Sequence, residues 1–169
     1  MKKIYFVLSV LLIACSVSAQ STYDATPPFK RFPSVPPFHL LAVDSVTIFT
    51  KDQLKKNKPV MVMYFNPDCE HCKHLTEEII KHIDDLKKVQ IVMAAWPGPG
   101  SFGNLKTFYS NYKIGEQKNI HIGHDFQDLL RSFYRVQSFP FLAMYDKKGK
   151  LITTFEGSMK IEDIIKVFE

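Results

Sequence analysis

Residues 59–65 (Pro-Val-Met-Val-Met-Tyr-Phe) form an almost unbroken apolar run of strand length, and Asn66-Pro67-Asp68-Cys69-Glu70-His71-Cys72 follows at once. A strand with no polar face has to be buried on both sides, which demands helices above and below a sheet. Beyond the cysteines, Cys72, Leu75, Ile79, Ile83 and Leu86 recur every three or four residues. That spacing predicts a helix with one apolar face, opening at the cysteine pair.

The rest of the chain fits the same architecture. Residues 45–49 (Ser-Val-Thr-Ile-Phe) read as a short strand, and Thr50-Lys51-Asp52-Gln53 as a capping box opening a short helix. Residues 90–95 read as a strand, Trp96-Pro97-Gly98-Pro99-Gly100 as a loop, 104–112 as a helix and 119–122 as a short strand. Asp125-Phe126-Gln127-Asp128 starts a helix with Leu129, Leu130 and Phe133 on one side. Residues 141–145 and 151–155 pair as a hairpin across Asp146-Lys147-Lys148-Gly149, and Ile161, Ile164, Ile165 and Phe168 mark a closing helix. The fold class is α/β, a central mixed sheet flanked by helices. At 169 residues this is one domain, and 13% aromatic residues supply its core. No glycine-rich dinucleotide or phosphate-binding motif is present.

The first nineteen residues stand apart. Met1-Lys2-Lys3 is basic, residues 4–14 are apolar apart from Ser9, and Val17-Ser18-Ala19 precede Gln20. This is the layout of a secretory signal peptide over 1–19, and the run is too short for a comfortable membrane span. Leu12-Ile13-Ala14-Cys15 also fits a lipoprotein box, which would lipidate Cys15 and tether the same domain to a membrane; cleavage after Ala19 is favoured because the three regions then have normal proportions. The expected location is therefore periplasmic or cell-envelope. Residues 20–37, with Pro27, Pro28, Pro33, Pro36 and Pro37, are expected to be an extended lead-in, and 38–169 the folded domain. The net charge is +5, two of those charges lie in the leader, and the remaining lysines are interleaved with acids, so nucleic acid is not an expected partner.

Setting Cys15 aside leaves Cys69 and Cys72. A disulfide stabilises by closing a long loop, and this ring encloses almost nothing. In an oxidising compartment such a pair is better suited to chemistry than to stapling. Cys69 at the helix start meets unpaired backbone N–H groups and the positive end of the helix dipole, which favour thiolate. Cys72, one turn on and in line with the apolar face, is expected to be shielded. An exposed attacking sulfur and a protected resolving one are what disulfide exchange requires. Asp68 and Glu70 disfavour the thiolate, while His71, when protonated, and Lys73 favour it.

The buried strand ending at Phe65, Cys69-Glu70-His71-Cys72 opening a helix, and Ser138-Phe139-Pro140-Phe141 leading into the last hairpin resemble the thioredoxin superfamily. The start of the domain resembles its extracytoplasmic TlpA-like members, whose extra αβ element before the cis-proline would be residues 104–122. The resemblance implies that Pro140 is cis and lies beside the cysteines, with Phe139 offering its backbone to an extended peptide. It implies protein thiols and disulfides as substrates, a membrane or periplasmic redox partner, and no cofactor beyond the Cys69–Cys72 couple. Two departures stand out: Asp68 replaces the usual Trp, and Met63 occupies the place of a buried carboxylate. The carboxylates flanking Cys69 favour a reductase.

Two other readings compete. The domain could be a thioredoxin-fold binding module whose cysteines do not turn over. Alternatively, His121-Ile122-Gly123-His124 could complete a Cys2His2 zinc site with Cys69 and Cys72, although the expected site holds no metal. His74 and His82 are expected to be solvated, and His39 has no evident partner.

Overall fold

The structure is a computed structural model that describes residues 26–169. The leader, Cys15 and the cleavage position after Ala19 lie outside the described residues. Among the described residues no helix is long and apolar enough to cross a membrane.

Seven strands form one sheet: β1 (His39–Leu41), β2 (Ile48–Thr50), β3 (Val60–Phe65), β4 (Gln90–Ala95), β5 (Ile120–His124), β6 (Phe141–Tyr145) and β7 (Leu151–Glu156). Their spatial order is β2-β1-β5-β4-β3-β6-β7. β3, β4 and β5 are parallel, and β1, β2, β6 and β7 add antiparallel pairs at the flanks. Every residue of β3, β4 and β6 is buried, as the continuous apolar runs require.

Alternation along β3 divides the core. Met61, Met63 and Phe65 face one layer with Ile91, Met93, Leu105, Phe108 and Ile164. That layer holds α2 (Glu70–Lys81), α3 (Ser101–Asn111) and α5 (Ile161–Lys166). Val62 and Tyr64 face the other layer, with Phe29 of α1 (Pro28–Arg31) and Leu130 and Tyr134 of α4 (Leu129–Tyr134). Each fully buried Ile, Leu or Met side chain contributes about 1.5–3 kcal/mol, so the two layers hold the sheet from both sides.

Several details differ from the sequence expectation. Residues 28–31 are not extended but form a helical turn, with Pro28 inside its start. Phe29 packs against Tyr134 and Phe141, and the Val35 N–H donates to the Gly149 carbonyl, so this segment is bound to the domain. The single strand expected near 45–49 is one arm of a hairpin, β1–β2, whose turn is held by Asp44 accepting the Val46 and Thr47 N–H groups. The Thr50 capping box opens a 3-10 turn, Lys51–Gln53, in which Gln53 accepts the Thr50 N–H at 2.7 Å. α2 ends at Lys81; overlapping turns over 82–88 keep the three-to-four-residue spacing, so Leu86 still reaches the core. α3 starts at Ser101 rather than at 104. α4 starts at Leu129 because Asp128 takes a left-handed conformation, and the buried Asp125 carboxylate accepts the N–H groups of Leu129 and Leu130. Leu130 and Tyr134 face inward while Leu129 is exposed.

Candidate active site

The ends of β3, β4, β5 and β7 and the start of β6 lie along one edge of the sheet. The segment after β3 turns on Asn66. Its carbonyl accepts the Cys69 N–H at 3.0 Å, and its side-chain oxygen accepts the Asp68 N–H at 3.0 Å. Cys69 then caps α2 with extended backbone, and its carbonyl accepts the N–H groups of Cys72 and Lys73, both at 3.0 Å. Cys69 is half-buried, whereas Cys72 is fully buried on the inner face of α2. Burial, reinforced by the neighbouring Cys69, pushes the Cys72 thiol far above the usual thiol range.

Pairing of Tyr64 with Phe141 places Pro140 beside the end of β3. The Phe139–Pro140 peptide bond is cis. The Phe139 carbonyl oxygen lies 3.9 Å from the Cys69 sulfur. The Phe139 ring stacks on buried Tyr64 at 5.9 Å and tilts against Trp96 at 6.1 Å. Glu156 accepts the N–H groups of Gln137 and Ser138 at 2.6 and 2.7 Å, and the Pro140 carbonyl accepts the Gly157 N–H at 2.8 Å.

Residues 50–169 match the family model described as a thioredoxin-like domain. The chain belongs to this family. Solved structures superpose on the thioredoxin-like domain at low identity. A secreted disulfide oxidoreductase of Mycobacterium tuberculosis matches with a TM-score of 0.64 at 18% identity, over 77% of this chain and 92% of that one. StoA of Bacillus subtilis matches with a TM-score of 0.62 at 17% identity, over 81% of this chain and all of that one (100%). The exposed lipoprotein thioredoxin of Streptococcus pneumoniae matches with a TM-score of 0.60 at 24% identity, over 78% and 98%. These likenesses show the fold. A sequence search of curated proteins finds no match.

In this thioredoxin-like domain the fold gathers Asp68, Cys69, Glu70, His71, Cys72, Phe139 and Pro140 at one edge. Each polar neighbour of Cys69 is engaged. Glu70 bonds Lys73 at 2.6 Å, which holds its carboxyl below the usual range and the Lys73 ammonium above its own. The His71 Nδ1 lies 3.1 Å from the Ser158 hydroxyl. Asp68 accepts a bond from the Asn104 amide at 2.6 Å.

The zinc alternative fails on geometry. His121 and His124 are three residues apart on β5, and an odd separation on a strand sends side chains to opposite faces. His121 stacks on Phe49 at 4.2 Å, while His124 is buried in the row with Ala95. Among the described residues no group of three or more His, Cys, Asp and Glu is placed to hold a metal ion. His39 has a partner after all, Gln127 at 3.1 Å; His74 is exposed beside Glu77, and His82 pairs with Asp85.

Nothing in the sequence pattern marks Asn104, Tyr64, Trp96, Glu156 or Ser158 as parts of the site. Trp96 is the only one of these with a local signal, and that signal marks a loop.

Proposed function

We propose that this protein is a thiol–disulfide oxidoreductase that acts on protein substrates through Cys69 and Cys72. The observation that carries this reading is the asymmetry of the pair: a half-buried sulfur at a helix start, 3.9 Å from a backbone carbonyl, with its partner fully buried one turn on.

In the reductive direction the Cys69 thiolate attacks one sulfur of a substrate disulfide. A Cys69–substrate disulfide forms, and the other substrate sulfur leaves and takes up a proton. Cys72 then gives up its proton and attacks the Cys69 sulfur, releasing the second substrate thiol. Two electrons have passed to the substrate, and Cys69–Cys72 is a disulfide that a membrane or periplasmic dithiol partner reduces again. The redox couple is the cysteine pair itself, with no metal or organic cofactor in the cycle. The Phe139 backbone beside the sulfur serves as the edge on which an extended substrate docks. Asp68 and Glu70, next to the attacking sulfur, favour the reductase direction, and His71 tunes it.

The protein works outside the cytoplasm in this reading, as the leader over 1–19 suggests. The secreted and lipoprotein character named for two of the structural neighbours agrees with it. Residues 38–169 form the catalytic domain, and Cys15 is the alternative lipid attachment point.

Insulin reduction with dithiothreitol tests the activity. Wild type is expected to accelerate precipitation and Cys69→Ser to abolish the effect; equal rates would overturn the reading. Cys72→Ser is expected to accumulate a mixed disulfide through Cys69, which also identifies the substrate.

A further inference from the structure

We propose that Asn104, on the helix between β4 and β5, is a positioning residue for the cysteine pair. It holds the Asp68 carboxylate toward α3 and away from the Cys69 sulfur. This rests on the reading of Cys69 as the attacking sulfur.

Asp68 immediately precedes Cys69, and a carboxylate beside a sulfur disfavours its thiolate. How strongly depends on where that carboxylate points, because the interaction falls with distance. The Asp68 backbone is fixed, since its N–H donates to the Asn66 side chain. The side chain is exposed and could rotate toward Cys69. The Asn104 amide, 36 residues further along, donates to its Oδ2 at 2.6 Å. Asp68 therefore lies on the rim of a groove between Pro67 and Lys73 on one side and Asn104, Thr107 and Tyr112 on the other. The Lys73 ammonium, bonded to Glu70 at 2.6 Å, also feels the Asp68 charge, though more weakly than that of Glu70. Asn104 is neutral, so it directs the Asp68 charge without cancelling it. The helix of the αβ element thereby acts on the chemistry of a motif it does not contain.

The test combines Asn104→Ala, Asp68→Asn and the double variant in the full chain. Two quantities are read: the rate of Cys69 alkylation by iodoacetamide, a neutral reagent, at pH 7, and the equilibrium of the Cys69–Cys72 pair with glutathione. Asn104→Ala is expected to slow alkylation by about two- to fivefold, the size of an exposed charge interaction, and to shift the equilibrium toward the disulfide by a similar factor. Asp68→Asn is expected to move both in the opposite direction. In the Asp68→Asn background, Asn104→Ala should change neither. Asn104→Asp, close to isosteric but repelling Asp68, should slow alkylation more than Asn104→Ala. An Asn104→Ala effect of equal size in both backgrounds would mean that Asn104 acts by packing alone and would overturn the inference, as would no effect in wild type. Insulin reduction measured alongside separates the two readings: its absence in wild type overturns the oxidoreductase assignment, whereas a background-independent effect overturns only the role of Asn104.

Discussion

The sulfur of Cys69 lies 3.9 Å from the carbonyl oxygen of Phe139, a residue 70 positions further along the chain. That proximity depends on two structures formed separately. The turn on Asn66 delivers the sulfur, and the loop before β6 delivers the carbonyl. The loop is held from behind by one carboxylate oxygen of Glu156, which takes two backbone N–H groups.

Glu156 should therefore matter for docking but not for the sulfur itself. Glu156→Ala removes both bonds on an exposed residue, a cost of about 1 kcal/mol. If it falls on substrate docking, the KM for a protein disulfide rises by about fivefold. Alkylation of Cys69 by iodoacetamide should stay at the wild-type rate. A matching slowdown of Cys69 alkylation would mean that Glu156 acts on the cysteine pair rather than on the docking edge.

Cys72 should be silent in the folded protein. Burial raises its pKa far above the usual thiol range, so it stays protonated at pH 7 and at pH 9. Brief iodoacetamide labelling of the reduced protein at either pH should modify Cys69 alone, with Cys72 reacting only after unfolding. Peptide mass mapping reads this directly, and comparable labelling of Cys72 at pH 9 would refute it.

The parts of the molecule that were legible in the sequence are those set by local pattern. Val60–Phe65 had no polar face and became a central strand; Cys72, Leu75 and Ile79 marked one side of α2. The turn Asn66-Pro67-Asp68 before the cysteine pair and the β6–β7 hairpin across Asp146-Lys147-Lys148-Gly149 carried their own turn signals. Partners brought together by the fold carried none. Asn104 meets Asp68 across 36 residues, and Ser158 meets His71 across 87, so no window of sequence contains either contact. β1 is only three residues long with a single buried side chain, Leu40, too short for alternation to register. α1 was hidden among prolines that elsewhere mark extended chain, because its one anchor, Phe29, is held by Tyr134 and Phe141. The His121–His124 pair offered a rival reading only because a spacing that suits metal ligands on a loop splits across the faces of a strand.

Gly98 should be intolerant of a side chain. A Cβ there would overlap the ring of Trp96, which lies directly over the glycine. Gly98→Ala must displace either the loop or the ring. Trp96 is the only tryptophan in the chain, so its emission reports the outcome. A red shift is expected as the ring leaves Phe139 and meets water, together with slower turnover of protein disulfides. Unchanged emission would show that the loop accommodates the methyl without moving the ring.

His124 should make the fold acid-sensitive. Burial lowers its pKa to about 4 in the folded protein, against about 6.5 in the unfolded chain. Between these values the unfolded chain holds more protons, so stability declines as pH falls. The full contribution is present above about pH 6.5 and is lost progressively down to about pH 4, and roughly 2 kcal/mol should go between pH 7.5 and 5. His121, lowered by burial in the same sense but only partly buried, adds a smaller share. Asp125 acts in the opposite sense above pH 3.8, because burial raises its carboxyl and protonation there favours the folded state. The comparison that isolates His124 is therefore wild type against His124→Leu, whose apolar side chain suits the row with Ala95. Urea unfolding of both at pH 7.5, 6 and 5 should show a steeper decline for wild type, with the two curves diverging below pH 6.5. Parallel curves would mean that His124 takes up its proton inside the folded protein.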